Sequence, residues 1–198
     1  MPIDDWIRET ETSLYRVHIA DLVRDLPVVP VDGGRFIAFL NIVGDAEVVV
    51  HASKALSSLI PTETELLVCP EVGGLILGHQ LSLDCGVPFV GIRKKRKPYM
   101  VDPRYVDVQT IGSHAPQQFV YSDYESRLMK GKRVAFIDEV ISSGATLTAI
   151  ETIIDAVGAT LVAKLCIADE GAHRDDVLSL CRLPVLGSAQ ARNLTPPP

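Results

Sequence analysis

The chain has four cysteines, Cys69, Cys85, Cys166 and Cys181, and no two of them form a CxxC pair. That excludes the common zinc and dithiol redox arrangements. Three of the four sit in apolar runs, so they read as reduced packing residues. No apolar run approaches the length of a membrane span, and the opening MPIDDWIRETETSLY has acids where a secretory leader needs an apolar core. The expected compartment is the cytoplasm. Positive charge is also scarce: 19 Lys and Arg against 25 Asp and Glu leave a net charge of −6. Wholesale binding to nucleic acid or to an anionic membrane is not expected, and any local basic cluster stands out. His51, His79, His114 and His173 have no motif around them, and no function is assigned to them. No internal repeat is visible.

What remains is a 198-residue chain with 47% apolar content, enough for one domain with a full core. Apolar runs suited to buried parallel strands alternate with helical periodicity: Leu66–Cys69, Gly73–Asp84, Phe89–Ile92, Val134–Ile137, Thr146–Val157 and Leu161–Ile167. The alternation predicts an α/β fold. Val48, Ala52, Leu56 and Leu59 form one helical stripe behind a possible Asp45 cap, and Ile150, Ile153, Ile154 and Val157 form another that Gly158 ends. From Lys94 to Gln118 the pattern fails, apart from a short alternating piece at Tyr105–Ile111. A stretch that long is usually functional or disordered. The tail from Ser188 to Pro198 is expected to be loose.

The segment that carries chemistry is Val134-Ala-Phe-Ile-Asp-Glu-Val-Ile-Ser-Ser-Gly-Ala-Thr-Leu147. It reads as a buried strand, two adjacent acids, a short Ser/Gly loop and a helix start. In an open parallel sheet, ligands collect beyond the carboxyl ends of the strands, where Asp138 and Glu139 stand. Two acids there can hold sugar hydroxyls or a magnesium shell. Residues Ser142, Ser143, Gly144, Ala145 and Thr146 supply consecutive backbone N–H groups, hydroxyls and the positive end of a helix, which suits a phosphate monoester. A plain capped turn would explain Ser142, Ser143 and Gly144, but not two charges ending an apolar strand.

This segment resembles the binding motif for 5-phosphoribosyl 1-pyrophosphate (PRPP) of type I phosphoribosyltransferases: four apolar residues, two acids, two variable residues, Ser/Thr-Ser/Thr-Gly, a small residue and Thr or Ser. The Asp-Glu order, and Ala145 where many members carry a second glycine, are mild departures. Leu66–Gly78 is similar to the strand, glycine pair and helix that contact pyrophosphate in this family. Val72, Gly73, Gly74 and Arg93 are the residues that inherit pyrophosphate binding. Glu71–Gly78 looks like the corresponding stretch of adenine phosphoribosyltransferases, where an arginine usually occupies the place of Gly73. The one basic run, Arg93-Lys-Lys-Arg-Lys97, resembles the cations that precede the family's closing loop, so Lys94 and Lys97 inherit a catalytic role beside Asp138 and Glu139.

The resemblance implies a single phosphoribosyltransferase domain over residues 1–198. Its core spans about 40–168, a small hood is built from 1–39 and 169–187, and the stretch Lys97–Gln118 is a flexible closing loop. It implies transfer of the phosphoribosyl group to a nucleobase with Mg2+ carried by PRPP and no metal site made wholly of protein ligands. The partners are PRPP and a base, with no nucleic acid and no membrane, in a homodimer. A purine acceptor is expected because Glu71–Gly78 and the hood-like Ile167–Arg174 resemble adenine and xanthine enzymes. An orotate enzyme is the alternative on the basic run. A PRPP-sensing regulator without catalysis is a third reading, and no DNA-binding motif accompanies it.

Overall fold

The computed structural model describes residues 13–108 and 117–194. Five strands form an entirely parallel sheet in the order β10-β9-β8-β4-β5: β4 (Leu66–Pro70), β5 (Phe89–Ile92), β8 (Arg133–Ile141), β9 (Thr160–Glu170) and β10 (Leu178–Leu183). β4 is buried at every position, as a strand covered on both faces must be.

The helices divide between the two faces. α1 (Ala46–Ser57) and α2 (Gly73–Cys85) pack one side through Val48, Ala52, Leu56, Leu77 and Leu81. The other side is covered by α4 (Ala145–Ala156), through Leu147, Ile150, Ile153 and Ile154, with Met129 of α3 (Asp123–Met129). Because β4 leads through α2 to β5 in one direction while β8 leads through α4 to β9 in the other, the chain diverges between β4 and β8. A crevice opens at the carboxyl ends of such strands.

The expected helices are present. Asp45 caps α1 by accepting from the Val48 N–H at 3.0 Å, and Gly158 takes a φ of 72° just past α4. Leu59, expected on the α1 stripe, lies beyond the helix end at Ser57 and is exposed.

Lys97–Gln118 is less irregular than its composition suggests. β6 (Arg104–Val108) and β7 (Gln117–Tyr121) pair as an antiparallel ribbon, and Val108, Phe119 and Tyr121 anchor it in the core beneath α4. The alternating piece that begins at Tyr105 covers most of β6, which is short and mostly exposed. Residues 109–116 of the expected closing loop, including His114, lie outside the described residues, as does the end of the tail.

A second, antiparallel sheet runs β1 (Leu14–Ile19), β2 (Leu22–Val31), β3 (Arg35–Ala38), β11 (Val185–Gly187), and is followed by the short α5 (Ser188–Arg192). The segment 169–187 is therefore divided, since β10 joins the parallel sheet and β11 pairs with β3. All four cysteines are free thiols. Among the described residues, no helix is long and apolar enough to cross a membrane.

Candidate active site

Helix starts separate the site from the rest of the fold. The first turn of a helix leaves N–H groups without partners, and α1 and α3 meet that need from their own sequence. α1 uses Asp45, and at α3 the Glu125 carboxylate accepts from the Ser122 N–H at 2.7 Å and from its hydroxyl. α2 and α4 lack such a cap: the preceding residues Val72 and Gly144 make no side-chain cap hydrogen bond, and no acid lies in the first turns. Both bare starts follow adjacent strands, β4 and β8, at the crevice. Two anion-binding ends thus stand side by side.

The loop 142–146 exposes Ser142 and Ser143 and turns at Gly144 with a φ of 80°, a conformation that disfavours any side chain. Ala145 N–H donates to the Ser143 hydroxyl at 3.4 Å. At the other start, Gly73 and Gly74 are buried while Val72 is exposed, and the Glu71–Val72 peptide is cis. A Cβ on Gly74 would lie 2.9 Å from the Ile137 carbonyl oxygen and 3.1 Å from Asp138 Oδ1, so α2 packs directly onto the end of β8. A Cβ on Gly73 would collide with the Glu139 carboxyl.

Between the two starts lie the acids. Asp138 is 7% exposed, and its Oδ1 accepts from the Glu139 N–H at 2.9 Å. Burial, with the adjoining Glu139 carboxyl, pushes Asp138 well above the usual carboxylate range; Lys94 works against that shift. Glu139 keeps one buried oxygen, Oε2, without a hydrogen-bond partner. Two carboxyls with an orphaned oxygen make a donor set of the hard, oxygen type that a magnesium ion accepts. Among the described residues, no group of three or more His, Cys, Asp or Glu is gathered as a metal cage.

The basic run enters from β5. The Glu71 carboxylate accepts from Arg93 Nη1 and from the Lys94 N–H, both at 2.8 Å, which ties the end of β5 to the loop after β4. Lys97 lies further along, with its N–H against the Met100 sulfur, and among the described residues no ion pair or hydrogen bond joins its ammonium to the site. The structure therefore brings together Val72, Gly73, Gly74, Arg93, Lys94, Asp138, Glu139 and the loop 142–146.

From the sequence alone Glu71 has no role of its own, and Ile167–Arg174 reads as hood-like rather than as part of this site. Asp169 is 3% exposed; its Oδ2 accepts from His173 Nδ1 at 3.1 Å and from the Arg174 N–H at 3.2 Å. Glu170, also buried, is pushed upward by its burial, with a Ser142 hydrogen bond opposing the shift. The register Ile141↔Asp169 places these residues beside the loop 142–146.

A family model described as the phosphoribosyl transferase domain matches residues 44–182. An adenine phosphoribosyltransferase of Thermosipho africanus is 30% identical over 143 residues, 71% of this chain and 81% of that protein. A hypoxanthine/guanine phosphoribosyltransferase of Methanothrix thermoacetophila is 29% identical, covering 67% and 64%. In fold, the chain is similar to the adenine phosphoribosyltransferase of Thermoanaerobacter pseudethanolicus, with a TM-score of 0.63 at 16% identity over 90% of this chain and 99% of that one. The Trypanosoma brucei enzyme in complex with AMP, pyrophosphate and ribose-5-phosphate gives a TM-score of 0.57 at 21% identity, covering 96% and 83%.

Proposed function

The chain belongs to the phosphoribosyltransferase family, and from that premise we propose that it transfers the phosphoribosyl group of PRPP to a purine base, releasing pyrophosphate and forming a nucleoside 5′-monophosphate. The observation that carries this reading is the pair of uncapped helix starts with two acids between them. PRPP has the matching layout: a phosphate at one end, a pyrophosphate at the other, and ribose hydroxyls in the middle.

In this reading Ser142–Thr146 hold the 5′-phosphate by backbone N–H groups and hydroxyls. Val72, Gly73 and Gly74 offer the pyrophosphate the first-turn N–H groups of α2, with Arg93 beside them. Asp138 and Glu139 orient the ribose hydroxyls. Displacement at the anomeric carbon develops positive charge on the sugar and negative charge on the leaving group, so the work of the protein is positioning and electrostatics. Glu139, through its orphaned oxygen, and Asp138 beside it would hold the magnesium shell that travels with PRPP. The ion supplies charge neutralisation of the departing pyrophosphate. Lys94 and Lys97 act on the same leaving group, and the β6–β7 ribbon is the element we assign to excluding water. The antiparallel sheet of β1, β2, β3 and β11 forms the hood over the base.

A homodimer in the cytoplasm is part of this proposal. The outer face of α2 is apolar, and with β5 and α3 it lines a groove of 620 Å³ through Leu75, Ile76, His79, Phe89, Tyr124 and Leu128. A face of that kind suits a second copy.

The test is a panel of adenine, guanine, hypoxanthine, xanthine and orotate, each with PRPP and magnesium, read as pyrophosphate release. Release with a purine is expected. Release with orotate alone makes the chain a pyrimidine enzyme, and tight PRPP binding without release on any base makes it a sensor.

A further inference from the structure

The loop after β9 carries a cation that the phosphate-loop motif does not include. Arg174 lies thirty residues past Gly144, yet a Cβ on Gly144 would lie 2.5 Å from Arg174 Nη1. The guanidinium therefore rests on the loop 142–146 at the one residue whose left-handed backbone leaves no room for a side chain.

The surroundings pair one edge of the arginine and leave its outer nitrogens unbonded. Asp169, the nearest buried acid, spends Oδ2 on His173 and on the Arg174 backbone N–H rather than on its guanidinium. Asp176 approaches Arg174 Nε at 3.4 Å, but Nε is buried and makes no hydrogen bond. The other Asp176 oxygen is held by Lys164 at 2.6 Å, and Lys164 in turn pairs with Glu151 of α4 at 2.7 Å. Among the described residues, no hydrogen bond occupies either Nη atom. The segment 171–177 is thus pinned to β9 and α4 at several points, and the outer nitrogens of Arg174 remain available beside a loop built for a phosphate monoester. A planar fork of N–H donors matches phosphate oxygens well.

We propose that Arg174 is a further binding residue for the 5′-phosphate of PRPP and of the product nucleotide, adding a charge-assisted contact to the backbone amides of 142–146. The inference rests on the reading of that loop as the phosphate site. The test is titration calorimetry of ribose 5-phosphate and, separately, inorganic pyrophosphate on the full chain and on its Arg174→Gln and Arg174→Lys variants, with melting temperatures recorded. Arg174→Gln is expected to weaken ribose 5-phosphate roughly 10- to 100-fold, the span of a lost hydrogen bond to a charged group, while pyrophosphate affinity stays within about twofold. Arg174→Lys should recover part of the loss, and KM for PRPP should rise more than kcat falls. Equal ribose 5-phosphate affinity in the wild type and Arg174→Gln overturns the inference and leaves the phosphate loop standing. Loss of both ligands with a fall in melting temperature also overturns it and makes Arg174 a strut. A wild-type chain that binds no ribose 5-phosphate sinks the loop reading itself.

Discussion

Gly73 and Glu139 are best understood as one feature. The adenine enzymes that Glu71–Gly78 resembles usually have an arginine where Gly73 stands, and the acids here run Asp-Glu. In the structure the longer second acid fills the space a side chain at position 73 would take. Either departure alone would produce a collision or a void. Gly73→Ala should displace the Glu139 carboxyl and lower kcat by up to about a hundredfold, as misplacement of a catalytic group does. Shortening the acid with Glu139→Asp should restore part of that loss. A double-mutant cycle in kcat/KM checks it, and strict additivity of the two losses would separate the residues.

Asp138 shows the cost of the site to the fold. Its carboxyl is raised well above the ordinary range, chiefly by burial, and Glu170 shifts in the same direction for the same reason. A folded state that keeps a proton the unfolded chain has released loses stability as pH rises through that interval. The contribution of Asp138 and Glu170 to the stability of the ligand-free protein is therefore full below the ordinary carboxylate range and falls towards neutrality, opposite in sign to that of Asp21, Asp25, Asp45 and Asp176, whose carboxyls are shifted downward beside cationic partners. Asp138→Asn should flatten this fall and raise the melting temperature near about pH 8 by on the order of 3 °C, the shift that about 1 kcal/mol gives a chain of this size. The same change should lower turnover on the order of a hundredfold. Melting scans across pH, beside a steady-state assay, check both halves.

At the scale of elements, the basic run is organised by an acid. Glu71 engages Arg93 and the backbone of Lys94, fixing where the strand ends and the cations begin. If Lys94 and Lys97 meet pyrophosphate mainly as it leaves, Lys94→Ala and Lys97→Ala should lower kcat more than they raise the Kd for PRPP. Equal losses in kcat and affinity would mean plain ground-state binding. Stopped-flow binding set against turnover separates these cases.

The elements also show what the sequence makes legible. β4, β8 and β9 carry continuous apolar runs buried on both faces, and β5 carries a short apolar run with one face buried; such runs announce themselves. So does the motif at the end of β8, because two acids after Val134–Ile137 have no structural excuse. β1 and β2 do not stand out, since their exposure is mixed, with polar residues such as Arg16, Arg24 and Asp25 along them. β10 is hidden for the same reason: Leu178–Leu183 mixes exposed and half-buried positions. Arg174 was beyond reach because its relation to Gly144 depends on the pairing of β8 with β9 and on the path of the following loop, and local spacing encodes neither.

For the whole molecule, the two-faced sheet places α2 where it borders both the candidate site and the outer surface. Its N-terminal turn borders the candidate site, while the half-buried Leu75 and Ile76 line the groove and the 67%-exposed Leu83 faces outward. Sedimentation at micromolar concentration should show a dimer. A charge placed outward, as Ile76→Glu, should shift it towards monomer. A wild-type monomer at all concentrations would remove the dimer from the proposal.

Two helices that begin without a side-chain cap at the residue before them present first-turn N–H groups that an anion can engage. In the proposed reading PRPP provides that anion, and a ligand at a hundred times its Kd deepens the folded state by about 2.7 kcal/mol. In a cell, proteases remove whichever molecules are transiently open, so a difference of that size changes survival several-fold. The steady amount of this protein should therefore rise and fall with the supply of the metabolite it consumes, with no transcriptional control required.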